Sequence, residues 1–351
     1  MSTVPQSWTE PGSYEVAPGV HRIPLPLPND GLRAVNVYAI EDGDGLVMID
    51  SGWALEEART QLESALGSLG YGFEDIRRFL VTHVHRDHYT MALTLRRMYG
   101  AKVALGIGEQ PSLNRIIAGQ ESDQLADLIS WGAEPMLERL AAMYAGIDRS
   151  KAQQAYDQPD EWLTGPADVD LDKRTLRAIP TPGHTQGHVV FLDPESSLLF
   201  AGDHVLPHIT PSIGFEPARA KQPLGDYLDS LRLLRDYPDM RLLPAHGPVA
   251  PSVHGRVTEL LRHHDERLAA TLETVRDGAA TAYESARRLG WTRRHRHFDD
   301  LDVFNQLLAV GETSAHLALL VRRGELESST VDGVTEYRLP PFTPEGAAES
   351  A

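Results

Sequence analysis

Residues 83–88 read His83-Val84-His85-Arg86-Asp87-His88, directly after Arg78-Phe79-Leu80-Val81-Thr82. Four side chains that ligate metals, His83, His85, Asp87 and His88, thus fall within six positions. The preceding run reads as a short strand, and a helix is expected over residues 90–99. Alternate residues of an extended segment point the same way, so His83 and His85 can share one cation while Asp87 and His88 turn toward a second. Imidazole nitrogen and carboxylate oxygen suit zinc, manganese or iron. One strand and its loop cannot close a coordination sphere, so further ligands must come from distant positions.

Three later stretches offer them. Thr181-Pro182-Gly183-His184-Thr185-Gln186-Gly187-His188, Ala201-Gly202-Asp203-His204 and Pro244-Ala245-His246-Gly247-Pro248 each follow a strand-like run and carry glycine or proline beside a ligand-type residue. Glycine lets backbone approach a ligand closely. Upstream, Asp50-Ser51-Gly52 ends another strand.

This order of motifs resembles the metallo-β-lactamase superfamily over about residues 15–250: His-x-His-x-Asp-His, then Gly-His-Thr, Gly-Asp and His-Gly. The resemblance implies an α/β (α+β) fold, a four-layer αββα sandwich with metals at one edge of the sheets. It also implies two divalent ions, zinc first with Mn2+ or Fe2+ as alternatives. His83, His85 and His184 would hold the first metal, Asp87, His88 and His246 the second, and Asp203 would bridge them. Asp50 matches an early acidic position that orients the histidine loop. His188 and His204 are expected to support the ligands from behind, and His208 faces either the pocket or solvent. His254, His263, His264 and His316 are expected to be solvent or packing residues.

The resemblance implies a hydrolase. Two cations a few Å apart lower the pKa of water between them, so a bridging hydroxide can attack a carbonyl or phosphoryl centre at neutral pH. Asp87 and Asp203 are thereby placed in the catalytic machinery. Where relatives often carry small residues after the motif, this chain has Tyr89-Thr90-Met91. The Tyr89 phenol is a candidate proton donor to substrate, the alternative being that it packs under the loop.

Around these motifs, strands are expected at residues 34–40, 45–50, 101–105, 175–179, 189–192, 198–201 and 241–244, and helices at 55–69 and 224–236. Residues 107–165 read as a helical insertion within a catalytic domain of residues 15–250. Its Trp131, Met136, Met143 and Tyr144 either pack a helical core or wall an apolar pocket. Residues 252–340 read as three helices and a hairpin, a small winged-helix-like C-terminal domain. The tail after Pro344 is expected to be loose.

Composition narrows the partners. With 33 basic against 50 acidic residues in 351, the net charge is −17. Such a surface repels nucleic-acid backbones and anionic membranes, so neither is an expected partner. There is no cysteine, which excludes disulfides, thiolate zinc modules and a cysteine nucleophile. Residues 1–14 are polar with Pro5 and Pro11, and no apolar run approaches the roughly 18 residues of a membrane helix, so the expected location is the cytoplasm. The expected substrate is a small-molecule ester, thioester or lactone, acyl-CoA-like groups included. A metal-dependent endoribonuclease or nucleic-acid-binding protein is the alternative, resting on the C-terminal domain and on Arg287, Arg288, Arg293, Arg294, His295, Arg296 and His297. A β-lactamase and an iron oxidoreductase are the remaining readings.

Overall fold

The structure, a computed structural model, describes residues 7–28, 31–120, 124–145, 149–292 and 296–341. The chain divides into two compact units, Met1–Asp123 with Ile147–Arg262, and Gln124–Gly146 with His263–Ala351.

In the first unit, β1 (Tyr14–Ala17), β2 (Val20–Pro26), β3 (Ala34–Asp42), β4 (Gly45–Ile49), β5 (Ile76–Leu80), β6 (Lys102–Gly106) and β7 (Glu161–Leu163) form one sheet in that order. Pairing is antiparallel from β1 to β4 and parallel from β4 to β7. The second sheet runs β12 (Arg241–Pro244), β11 (Leu198–Gly202), β10 (Val189–Asp193), β9 (Thr175–Pro180), β8 (Ala167–Asp170), with only the β11–β12 pair parallel. The period-2 alternation of strands builds two cores. Val35, Val37, Leu46, Met48, Phe79, Val103 and Leu105 face a cluster that also contains Leu62 and Leu66 of α1 (Glu56–Ser68) and Met91, Leu93 and Leu95 of α2 (Arg86–Tyr99). The intervening Tyr38, Ile40, Val47, Ile49, Leu80 and Ala104 meet Leu176, Ala178, Val189, Phe191, Phe200 and Leu243 of the other sheet. Sheet therefore lies on sheet, with helices outside, and α7 (Pro223–Leu233) brings the Tyr227 backbone against Gly183. Burying a side chain such as Phe79 contributes about 1.5–3 kcal/mol, and a cavity in its place costs about 3–5 kcal/mol.

The second unit gathers α4 (Gln124–Ser130), α5 (Leu137–Tyr144), the later part of α8 (Val253–Arg276), α9 (Ala282–Arg288), α10 (Val303–Arg322) and the hairpin β13 (Glu327–Val331) and β14 (Val334–Arg338). Thr281 and Asp302 cap α9 and α10 through side-chain oxygens, each accepting a backbone N–H three residues on. Asp332 and Gly333, both at positive φ, make the hairpin turn.

Four expectations change here. Helix α2 starts at Arg86, inside the histidine motif, because residues 86–99 already carry the apolar face that fills the outer core. Residues 107–165 are not one insertion. They hold α3 (Gln110–Ile117) and α6 (Arg149–Gln154) of the first unit, α4 and α5 of the second, and β7, which extends the first sheet. Trp131, Met136 and Leu140 are buried, and the Trp131 carbonyl accepts the Tyr283 backbone N–H, so they pack the helical unit. The unit boundary falls within α8, and α4 and α5 enlarge the second unit beyond the winged-helix-like domain expected at residues 252–340. Strands β1, β2 and β8 are additions to the expected set. Among the described residues no helix is long and apolar enough to cross a membrane.

Candidate metal centre

Each ligand-type residue leaves the end of a strand. His83 and His85 follow β5, with Asp87 and His88 in the first turn of α2. His184 follows β9, Asp203 follows β11, and His246 follows β12. Close approach of these ends needs glycine. Gly202 sits at φ +50°, where a Cβ would lie 2.7 Å from both His188 Nε2 and Thr82 Oγ1.

All seven side chains converge. His83 Nε2 lies 3.0 Å from His85 Nδ1, and His184 Nε2 lies 3.2 Å from the former and 3.1 Å from the latter. On the other side, His246 Nε2 is 3.5 Å from Asp87 Oδ2, and His88 Nε2 is 3.6 Å from it. Asp203 faces both groups. Its Oδ2 is 3.5 Å from His184 Nε2, and its Oδ1 is 3.3 Å from His246 Nε2 and 3.7 Å from His88 Nε2. Ligand atoms around a tetrahedral zinc with bonds of about 2.0–2.1 Å are roughly 3.3–3.4 Å apart, so the spacing fits.

Proton positions carry the argument further. His85 gives its Nε2–H to the Phe215 carbonyl at 2.9 Å, His184 its Nδ1–H to Ser212 at 2.7 Å, and His246 its Nδ1–H to Ala34 at 2.8 Å. His88 donates Nδ1–H to Asp50 Oδ2 at 2.9 Å. His83 Nδ1 meets Thr82 Oγ1 at 3.0 Å, and that hydroxyl gives its own proton to Asp50. Five imidazoles thus have their outer N–H committed, and each turns its other nitrogen toward the same small volume. His88 Nε2, Asp203 Oδ1 and His246 Nε2 are buried there without a hydrogen-bond partner among the described residues. Such groups are costly unless a cation satisfies them.

Electrostatics divide the centre. Burial drives the His83 imidazole well below its ordinary value, and burial followed by His184 pushes His85 down to about 4. At His88 burial again pulls downward, but Asp87, Asp50 and Asp203 outweigh it and lift the group to about 10. His246 is raised too, Asp203 and Asp87 overcoming its burial. The acidic half therefore holds protons that a cation would replace.

Asp50 stands behind the array at φ +59°, a strained conformation for a non-glycine residue. Its carboxylate accepts the Thr82 backbone N–H at 2.8 Å besides the His88 and Thr82 side chains. His188 stacks on His83 with ring centres 5.1 Å apart, and its Nε2 accepts the Asp203 N–H at 3.2 Å. His204 is buried edge-on to Tyr227, and burial lowers it to about 3. His208 is exposed on the Pro207 loop against Gly247.

Tyr89 is corrected. Its ring is buried in the outer core and its hydroxyl donates to the Asp157 carbonyl at 2.8 Å, so the proton is committed away from the ligands. On a helix of 3.6 residues per turn, one step past His88 rotates the side chain by about 100°, out of the array. Of the basic cluster, Arg287 pairs with Asp299 at 3.2 Å and Arg288 donates to the Thr274 and Asp277 carbonyls. Arg293, Arg294 and His295 lie outside the described residues.

Two supporting residues escaped the sequence reading. Asn36, in mid-strand, accepts from Arg22 and donates to the Pro244 and Gly247 carbonyls, which fixes the His246 loop. A polar residue inside an apolar strand was the available signal. Glu109 is fully buried and takes the Thr185 hydroxyl proton and the Val84 N–H, tying together two ligand-bearing loops. Burial, then the charge of Glu216, pushes its carboxyl up to about 8. Gly187 admits it: a Cβ there would lie 2.1 Å from Glu109 N. As one of many acids, Glu109 gave no signal.

Comparison with known proteins agrees with this geometry. The model of the Metallo-beta-lactamase superfamily matches residues 30–246. The chain belongs to that superfamily. It is 27% identical over 244 residues to the Lactamase-like protein nscB of Aspergillus fumigatus, covering 70% of this chain and 57% of that protein's length. It is 24% identical over 307 residues to the Beta-lactamase-like protein 2 homolog of Caenorhabditis elegans, covering 87% and 81%. A metallo-beta-lactamase family protein from Thermus thermophilus has a solved structure that superposes with a TM-score of 0.75 at 27% identity, covering 93% of this chain and all of that one.

Proposed function

We propose that the protein is a dinuclear, zinc-dependent hydrolase of a small-molecule ester, thioester or lactone. The observation that carries this reading is the set of five histidines whose outer N–H groups are all committed, so that their inner nitrogens converge with Asp87 and Asp203. His83, His85 and His184 would hold one ion and Asp87, His88 and His246 the other, with Asp203 reaching both. Divalent ions bound there supply Lewis acidity to a scissile carbonyl and make water available as a nucleophile near neutral pH.

The chain's own residues do the rest. Asp50 steadies His88 and, through Thr82, His83, so the ligands need little reorganisation. Glu109 and Asn36 hold the loops that carry the others. Water adds to the carbonyl carbon, the C–O or C–S bond breaks, and the alcohol or thiol leaves with a proton. A nucleic-acid substrate is disfavoured by the net charge of −17.

The test is hydrolysis of an acyl-coenzyme A, lactone and aryl-ester panel by zinc-loaded protein, with and without chelator. Turnover should vanish with chelator and fall by at least about 10²–10³-fold in Asp87→Ala. Turnover that survives both would overturn a metal-dependent mechanism. No turnover of any member by fully metallated protein would overturn the substrate class.

A further inference from the structure

Between the ligands His85 and Asp87 stands an arginine that the ligand array does not use. Arg86 is exposed, and its guanidinium lies over the Trp53 ring, 3.9 Å from the ring centre. Its side chain makes no hydrogen bond and no ion pair with any described residue. By contrast, Arg78 pairs with Glu161, and Arg96, later on the same helix, pairs with Asp157. In a chain of net charge −17, an arginine without a carboxylate partner beside two ligand positions leaves its charge available to an anion from outside.

Trp53 is a firm platform. The segment before it is bound to α2 by Ser51 N–H to the His88 carbonyl at 3.0 Å and Met91 N–H to the Gly52 carbonyl at 3.1 Å. After it, Ala54 N–H donates to Thr90 Oγ1 at 2.9 Å. The ring itself packs on the outer core. A guanidinium stacked on an indole keeps its edge N–H fork available, and that fork matches the two oxygens of a carboxylate or phosphate. Stacking also removes side-chain freedom before binding, which lowers the cost of capturing a ligand. Consecutive Cα atoms are about 3.8 Å apart, so Arg86 is rooted within one residue of both His85 and Asp87. The Tyr156 phenol, raised by its burial and then by Asp87, is pulled back by Arg86, which places all three at the same end of the unit.

We propose that Arg86, stacked on Trp53, anchors an anionic group that the substrate carries a few bonds from its scissile carbonyl. This rests on the hydrolase reading above and narrows its substrate to a carboxylate- or phosphate-bearing ester, thioester or lactone.

Three 4-nitrophenyl esters of matched length test it: butanoyl, which is neutral, hemisuccinyl, which ends in a carboxylate, and 3-phosphonopropionyl. The zinc-loaded protein should favour at least one charged ester over the neutral one, and the one it favours identifies the anion. In Arg86→Gln the ratio of kcat/KM for charged over neutral ester should fall roughly 10- to 100-fold, through KM, with Arg86→Lys recovering part of it. An unchanged ratio in Arg86→Gln, or a wild-type preference for the neutral ester, overturns the anchor. A second readout is independent of turnover. Succinate or 3-phosphonopropionate should quench tryptophan fluorescence in the wild type and not in Trp53→Phe, and should bind at least ten-fold more weakly to Arg86→Gln by calorimetry. Should the wild type hydrolyse none of the three esters, the binding measurements alone decide the anchor. Equal binding to wild type and Arg86→Gln then overturns it.

Discussion

In the first unit five histidines meet around two aspartates, while in the second His264 meets His316, and the direction of the protons separates the two groups. His316 gives Nδ1–H to the Glu312 carbonyl at 2.8 Å, so its Nε2 is an acceptor, 3.2 Å from His264 Nδ1. The rings stack with centres 5.4 Å apart. One hydrogen bond joins the pair, with Nδ1 of His264 donating to Nε2 of His316. Burial lowers both imidazoles, His264 well below its ordinary value and His316 to about 3. Every group of three ligand-type residues found among the described residues lies in the first unit. Burial and proximity of histidines therefore do not make a metal centre. Lone pairs aimed inward, with carboxylates among them, do.

The sharpest way to break this contrast is Asp50→Asn. It removes the charge behind His88 and the acceptor of the Thr82 proton, so metal affinity should fall about 10–100-fold in chelator competition. Unchanged affinity would mean that proton direction does not govern the site. A smaller effect is expected from His316→Leu. His264 loses its acceptor, and stability should drop by about 1–3 kcal/mol in a denaturant titration, with metal content unaltered. Loss of metal in that variant would erase the distinction between the two clusters.

Much of the centre was legible because each ligand sits in a short motif at a strand end, flanked by glycine or proline. His184, Asp203 and His246 are visible for that reason, and β5 announces His83 by its apolar run. What stayed hidden is tertiary. Glu109 becomes important only when Gly187 lets the two loops close on it. Strand β2 carries Pro24 and Pro26, which mask its extended pattern. The three residues of β7 have no periodicity to read, and they extend the sheet only because β6 lies beside them. Nothing local in residues 124–145 tells that they pack with the C-terminal helices. Tyr89 misled because nearness in sequence to His88 was read as nearness in space, and the helical rotation undoes it.

Metal analysis across pH tests the central claim most directly. Zinc-reconstituted protein, equilibrated from pH 8 downward and measured by mass spectrometry of its metals, should hold close to two ions per chain at the top of the range. His88 titrates at about 10 without metal, so at any lower pH the cation must displace a proton, and affinity falls as pH falls. His85, neutral down to about 4, leaves its half of the centre less sensitive. The ion at Asp87, His88 and His246 should therefore leave first and the one at His83, His85 and His184 at lower pH. Absence of stoichiometric metal at pH 8, or full metal retention in Asp203→Ala, would contradict the account.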